Sequence, residues 1–305
     1  MKKKIRIVQA ASILGLKPTG TQHLADCFLK AGFAGMINAV PEIIYIPDLN
    51  YLYSSEIDAD TGCLNTRAIQ RFSLSLNEAV KTVLNENQFA IVLGGDCSIL
   101  IGIMSALKGS GKTGLVFIDA HADFYSPETS VTGEVADMDL AIVSGRGPAV
   151  LTDINQSRPY VADINQSRPY VDDENIIHIG QRDEDEASAY QSPDIRKTKI
   201  NCIPATEVTK QGAFNIATIV SEKINGSLTD HCWVHFDTDV LDDEINPAVD
   251  YRLPGGLKID EVQTIIKAAL STGRCRGISV TIFNPLLDKD GTVCNKLVSC
   301  IAEIL

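Results

Sequence analysis

A three-layer α/β/α fold with a mostly parallel sheet of about eight strands is what this 305-residue chain predicts, on three observations. Short runs rich in Ile and Val recur along it, most of them continuous rather than alternating, as strands covered on both faces require. Longer segments between them carry the apolar spacing of amphipathic helices. No stretch has the composition of an interdomain linker, so residues 1–305 read as a single domain.

Taken in order, the first strand is 5–9. Its basic start, Met1-Lys2-Lys3-Lys4, looks like a signal peptide, but Arg6 and Gln9 interrupt the apolar stretch and Lys17-Pro18 follows soon after. Further strands fall at 43–46, 89–93, 115–118, 176–179, 199–203, 233–236 and 277–281. Helical patterns occupy 66–84, 98–107, 214–224, 259–270 and 295–305. The segment 153–161 is repeated unchanged as 163–171. One duplication cannot build a solenoid, and its Asn, Gln, Ser and Pro content reads as a surface loop, with a substrate lid or subunit contact as the sharper alternative.

With 45% apolar and 22% charged residues, the composition is that of a globular chain, not a disordered or fibrous one. A net charge of −12 makes a poor surface for nucleic-acid or lipid phosphates, so neither nucleic acid nor membrane is an expected partner. The same charge supplies hard oxygen ligands for cations. No run approaches the ~18 apolar residues of a membrane span. Eight scattered cysteines without a C-x-x-C pair suit reduced, mostly buried thiols, and hence a cytoplasmic protein.

Three strands end in candidate metal ligands. Gly94-Gly95-Asp96-Cys97-Ser98 follows 89–93, Asp119-Ala120-His121-Ala122-Asp123 follows 115–118, and Asp237-Thr238-Asp239-Val240-Leu241-Asp242 follows 233–236. Ligand sites of open α/β sheets lie outside the carboxyl ends of the strands, so the three clusters converge. An extended backbone would point Asp119, His121 and Asp123 to one side, and Asp237 and Asp239 likewise. Four carboxylates in one pocket cannot all stay ionised without a cation. Two divalent metals resolve the conflict and acidify a bridging water. The competing reading is that strand-end aspartates cap the following helices.

Through these residues the sequence resembles the arginase/agmatinase (ureohydrolase) family, whose signature runs G-G-D-H-S, D-A-H-x-D and S-x-D-x-D-x-x-D-P. The resemblance spans about 89–285 and takes in Ile179-Gly180-Gln181-Arg182-Asp183 and Pro254-Gly255-Gly256-Leu257. It implies a three-layer α/β fold, a homo-oligomer and a binuclear manganese centre. The implied reaction is hydrolysis of a linear guanidine- or amidine-type C–N bond in a small molecule by a metal-bound hydroxide. Carried over by position, Cys97, Asp119, Asp123 and Asp237 would hold the first metal. His121, Asp119, Asp237 and Asp239 would hold the second, with Asp119 and Asp237 bridging. Asp123, hydrogen-bonded to the bridging hydroxide, and His121 are the implied catalytic residues.

The sequence also departs from the family. Cys97 replaces the first ligand histidine, as in the branch that resembles hydroxyarginine hydrolases, and its softer thiolate favours Zn²⁺ or Fe²⁺ over Mn²⁺. The alternative is a neutral buried cysteine beside a single metal. Ala136 stands where arginases have a proton-shuttling histidine. Ile282, two residues ahead of Asn284-Pro285, stands where the family's glutamate meets the substrate guanidinium. Ordinary arginine or agmatine hydrolysis is therefore not expected, and Glu134, Asp137 and Glu128 are the candidate substitute charges. Asp183 and Asp185 lie where the family keeps an aspartate near the substrate's α-amino group, or else form part of a solvated charge run. His235 replaces a serine and reads chiefly as a packed strand residue, although it shares the strand face of Asp237. Asp243 stands in place of the signature's final proline. A non-catalytic relative that keeps the fold for binding or assembly is the second hypothesis.

Overall fold

The computed structural model describes residues 4–155, 169–226 and 229–305. Eight strands among them form one parallel sheet: β1 (Ile5–Gln9), β2 (Ile44–Tyr45), β3 (Phe89–Leu93), β4 (Thr113–Ile118), β5 (Ile176–Ile179), β6 (Asn201–Ile203), β7 (His231–Asp237) and β8 (Cys275–Thr281). Their spatial order is β2-β1-β3-β8-β7-β4-β5-β6, and every pairing is parallel. The helices between them are α1 (Leu24–Lys30), α2 (Phe33–Met36), α3 (Thr66–Asn85), α4 (Ile99–Leu107), α5 (Asp139–Val143), α6 (Ala149–Thr152), α7 (Glu184–Ala189), α8 (Ala205–Gln211), α9 (Ala213–Gly226), α10 (Ile259–Ser271) and α11 (Thr292–Ala302).

Each continuous apolar run feeds two cores. Ile91 and Leu93, Val116 and Ile118, Val234 and Phe236 point to the side covered by α1, α2 and α8 to α11. Their neighbours Ala90 and Val92, Leu115 and Phe117, and Trp233 point to the side covered by α3 to α6. Period-two alternation combined with burial on both faces is why these strands read as nearly continuous apolar runs, with the polar His235 and Asp237 of β7 buried toward its carboxyl end. α4 is buried at every residue because α3 and α5 pack over it, which suits its all-apolar sequence. Burying such faces supplies most of the helical stability, since helices this short are marginal alone.

The strand positions inferred from sequence match, with shifted ends. β2 shrinks to two residues from the expected 43–46, as befits an edge strand, while β7 and β8 each extend beyond the expected limits. Six helices, α1, α2 and α5 to α8, have no counterpart in the sequence reading because four to seven residues are too few to display a helical period. Of the duplicated segments, 156–168 lies outside the described residues. All eight cysteines are free thiols, six of them buried, although Cys27 and Cys294 bring their sulfurs within 2.7 Å and Cys232 and Cys275 within 2.8 Å. No helix among the described residues is long and apolar enough to cross a membrane.

Trp233 on β7 is wholly buried and lies across Gly277 of β8, where a Cβ would overlap both the indole and the Ala90 carbonyl. Gly277→Ala should therefore destabilise the fold by about 1–3 kcal/mol, the usual cost of overpacking. Urea denaturation reads this directly, and an unchanged midpoint would contradict the packing.

Candidate metal centre

β3, β8, β7 and β4 are consecutive neighbours, so the loops leaving their carboxyl ends meet over the middle of the sheet. The loop after β3 is pressed against the chain leaving β1: Asp96 N–H donates to Ser12 O at 3.0 Å, and a Cβ on Gly95 would overlap that same carbonyl. Asp96 does the work of a loop clamp. Its two oxygens accept from Gly15 N–H (3.2 Å) and Ser98 N–H (2.9 Å), fixing the position of Cys97 between them in sequence.

Two donor groups result. Cys97, Asp119, His235 and Asp237, all buried, bring one ligand atom each within 4.8 Å of one another. Asp119, His121 and Asp239 form a second group with the same spacing, and Asp119 belongs to both. In the first, Cys97 Sγ lies 2.7 Å from Asp237 Oδ2, and the Thr281 hydroxyl sits 3.2 Å from that sulfur and 3.3 Å from the same oxygen. In the second, His121 Nδ1 is 3.1 Å from Asp239 Oδ2 and 3.6 Å from Asp119 Oδ1. The Arg182 guanidinium holds the Asp239 loop by donating to the carbonyls of Asp239 (2.7 Å), Val240 (3.1 Å), Leu241 (3.2 Å) and Leu253 (3.1 Å).

The electrostatics are those of crowded carboxyls in a dry place. Burial, then the Asp239 charge, pushes Asp119 up to about 6. Burial, with Asp239 and Asp119 adding to it, drives Asp237 well above the carboxylate range. Burial also raises the Cys97 thiol, reinforced by Asp237, so in the metal-free protein its S–H donates to that carboxylate. His121 goes the other way: burial lowers its pKa, but the Asp239 and Asp119 charges outweigh it and hold the imidazolium. Burial pushes His235 down to about 3, leaving a neutral ring. Asp119 Oδ2 is buried and meets no donor among the described residues. A carboxylate that keeps an orphan oxygen and belongs to two groups of S, N and O donors fits two divalent cations.

The remaining expected site residues fare differently. Asp123 is in neither group. The extended-backbone argument holds for Asp119 and His121 but stops at Asp123, whose φ of 45° turns the chain into the left-handed region. Its carboxyl instead lies against Asp139, whose fully buried oxygens meet no donor among the described residues, and burial drives both carboxyls well above the usual carboxylate range. Glu134 is fully buried, ion-paired to Lys17 at 3.2 Å and accepting from the Tyr251 hydroxyl at 2.9 Å. The Tyr251 ring stands edge-on to His121 at 6.4 Å. Asp183 is buried but spends its oxygens on Ala122 N–H (3.2 Å) and Gln181 Nε2 (3.0 Å), while Asp185 is exposed on α7. Asp137, raised to about 7 by burial and Glu134, takes a hydrogen bond from Thr132, and Glu128 is exposed. Sequence reasoning missed Asp139 and Thr281 altogether, and favoured a packed strand residue for His235 while noting that it shares the face of Asp237. The signal available was a histidine two residues before a ligand aspartate on one strand.

Cys97, Ala136 and Ile282, three departures scattered over 186 residues of sequence, pack together with Leu16 and Val249 as one buried apolar cluster. Ile282 takes a φ of 72°, a strained conformation for a β-branched residue.

The raised carboxyls dictate an unusual pH response. Groups with an ordinary value of 3.8 that rise to about 6 (Asp119) or about 7 (Asp137) keep protons in the native state that the unfolded chain has lost. Metal-free protein should thus be most stable near pH 4 and lose stability as pH rises through about 6 to 7, with His121 contributing in the same sense and Asp239 opposing. A divalent cation, by favouring the ionised carboxyls, should abolish the decline. Thermal midpoints in chelator and in metal across this range decide it; a chelator profile rising with pH would refute the carboxyl crowding.

Comparison with known proteins gives a consistent neighbourhood. The family model described as "Arginase family" matches residues 44–304. An arginase of Staphylococcus aureus (strain COL) is 26% identical over 307 residues, covering 98% of this chain and 96% of its own length. The native structure of the Bacillus caldovelox arginase superposes with a TM-score of 0.84 at 25% identity, covering 99% and 98% of the two chains. The Bacillus subtilis formimidoylglutamase shares the fold, with a TM-score of 0.70 at 18% identity over 99% and 86%.

Proposed function

The chain belongs to the arginase family, and from that premise we propose that it hydrolyses a linear amidine-type C–N bond of a small molecule at this centre. The observation that carries the reading is the pair of donor groups joined through Asp119 at the carboxyl edge of the central strands. Two divalent cations, manganese being the family expectation, would supply an activated water and polarise the amidine when bound there.

The chain's own groups do the rest. Asp119, Asp237, His121 and Asp239 offer the donors, and Arg182 keeps the Asp239 loop from collapsing away. Hydrolysis ends with a proton reaching the departing nitrogen. With no histidine at 136, the buried carboxyls Asp123 and Asp139, both raised by burial, are groups of this chain that could deliver it. The Lys17–Glu134–Tyr251 cluster stands beside His121.

The apolar cluster supports a narrower substrate class. Ile282 and Ala136 offer a guanidinium no carboxylate of their own, and Glu134 is committed to Lys17 and Tyr251. An amidine of lowered basicity, entering neutral, suits that wall better than arginine does. Removing one partner of a buried ion pair costs about 3–5 kcal/mol, so arginine turnover should be at least about 100-fold slower than that of the best neutral amidine. The test is to load the protein with Mn²⁺ or Zn²⁺ and assay arginine, agmatine, hydroxyguanidines and formimidoyl compounds for release of ammonia, urea or formamide. Metal-dependent turnover that chelator abolishes is the expected result, and arginine as the best substrate would overturn the substrate class. The same apolar cluster favours a second reading, a non-catalytic relative. Full metal binding without turnover of any amidine would select it.

A further inference from the structure

We propose that the deeper of the two metal positions is a Cys97–Asp119–His235–Asp237 site, with His235 supplying the imidazole and Asp123 standing outside it, and that this site takes zinc in preference to manganese. The inference deepens the two-cation reading of the centre and rests on it.

His235 is oriented for the task. Its Nδ1 lies 2.8 Å from Ser279 Oγ, and the same oxygen receives the Trp233 indole N–H at 3.0 Å. A serine oxygen has two lone pairs and can accept from both rings at once; in that tautomer, which zinc binding would select, the imidazole proton sits on Nδ1 and Nε2 is bare. That nitrogen faces Thr281 Oγ1 at 3.3 Å, the hydroxyl that also touches Cys97 Sγ and Asp237 Oδ2. Phe117 stacks on the ring at 5.0 Å with planes 9° apart, blocking rotation. Asp119, also buried, adds a carboxylate whose Oδ2 meets no donor among the described residues.

The sequence shows an exchange. Where the resembling family has a histidine at 97 and a serine at 235, this chain has a thiol and an imidazole. The imidazole has moved across the pocket from the loop after β3 to the strand β7, and a sulfur fills the vacated place. Meanwhile Asp123 has turned onto Asp139 and left the group. One thiolate, one imidazole and two carboxylates are four donors, the number and softness zinc favours, whereas manganese prefers oxygen.

Cobalt(II) is the probe. Metal-free protein titrated with Co²⁺ should develop a thiolate-to-cobalt charge-transfer band that Zn²⁺ displaces and equimolar Mn²⁺ does not. His235→Gln should weaken the site at least about tenfold, since even outer partners of ligands are worth about 10- to 100-fold. Asp123→Asn should leave the band unchanged, and the double exchange C97H/H235S should remove it and shift preference to Mn²⁺. Thermal melting in chelator establishes that each variant folds. Should His235→Gln not fold, zinc-edge X-ray absorption of the wild type answers instead by the presence of one sulfur and an imidazole shell. Absence of the band, full affinity in His235→Gln or loss of the band in Asp123→Asn would each overturn the site. Turnover does not enter the readout: a thiolate–cobalt site without amidine hydrolysis sinks only the enzymatic reading, and hydrolysis with manganese but no thiolate band sinks only this one.

Discussion

Buried like charge is the constraint around which the rest of this molecule is arranged. Asp119, Asp123, Asp139, Asp237 and Asp239 are all nearly or fully withdrawn from water within one cluster of loops. In a low-dielectric setting such a set can exist in only three ways: protonated, paired with a fixed cation, or holding a mobile one. Two of these are at work and the third is prepared. Burial favours the protonated forms of Asp123 and Asp139, His121 and Arg182 lend positive charge to Asp239, and Asp119 keeps an oxygen with no partner among the described residues.

Holding that much charge in place takes rigid support, and the support is backbone and apolar packing. The sheet sets β3, β8, β7 and β4 side by side, so four loops meet without any long excursion. Asp96 clamps the first loop, Arg182 the last, and the Trp233–Ser279–His235 chain ties the floor of the site to the β7–β8 ladder. Trp233 is at once the largest fully buried side chain and a donor in that chain, so core packing and ligand orientation share one residue.

Beside the charges stands their opposite. Leu16, Cys97, Ala136, Val249 and Ile282 make a small apolar wall, isolated from the two large cores. An apolar wall raises the cost of any unpaired charge brought near it, so a charged group placed there would be disfavoured whatever its shape. The three family departures on that wall thus have one joint physical effect, which no single substitution would show.

The sequence alone determined the fold class, the order of strands and helices along the chain, the family, and the three strand-end clusters, because each is a local signal: continuous apolar runs, helical periods and short ligand spacings. It also marked Cys97, Ala136 and Ile282 as departures. It could not assign Asp123, since a single left-handed φ there breaks the i, i+2, i+4 rule without any mark in the residue type. Glu134 and Asp183 read as free charges in the chain, yet each is consumed by partners far away in sequence, Lys17 and Tyr251 for one and the Ala122 amide for the other. His235 was visible as a histidine on the right strand face. That its ring edge meets a sulfur 138 positions earlier and a threonine on the next strand was decided only by the register of β7 against β8 and by the packing of Phe117 and Trp233 around it. Local propensity writes elements and motifs into a sequence, whereas the mutual distance of side chains on different elements exists only once the sheet has closed.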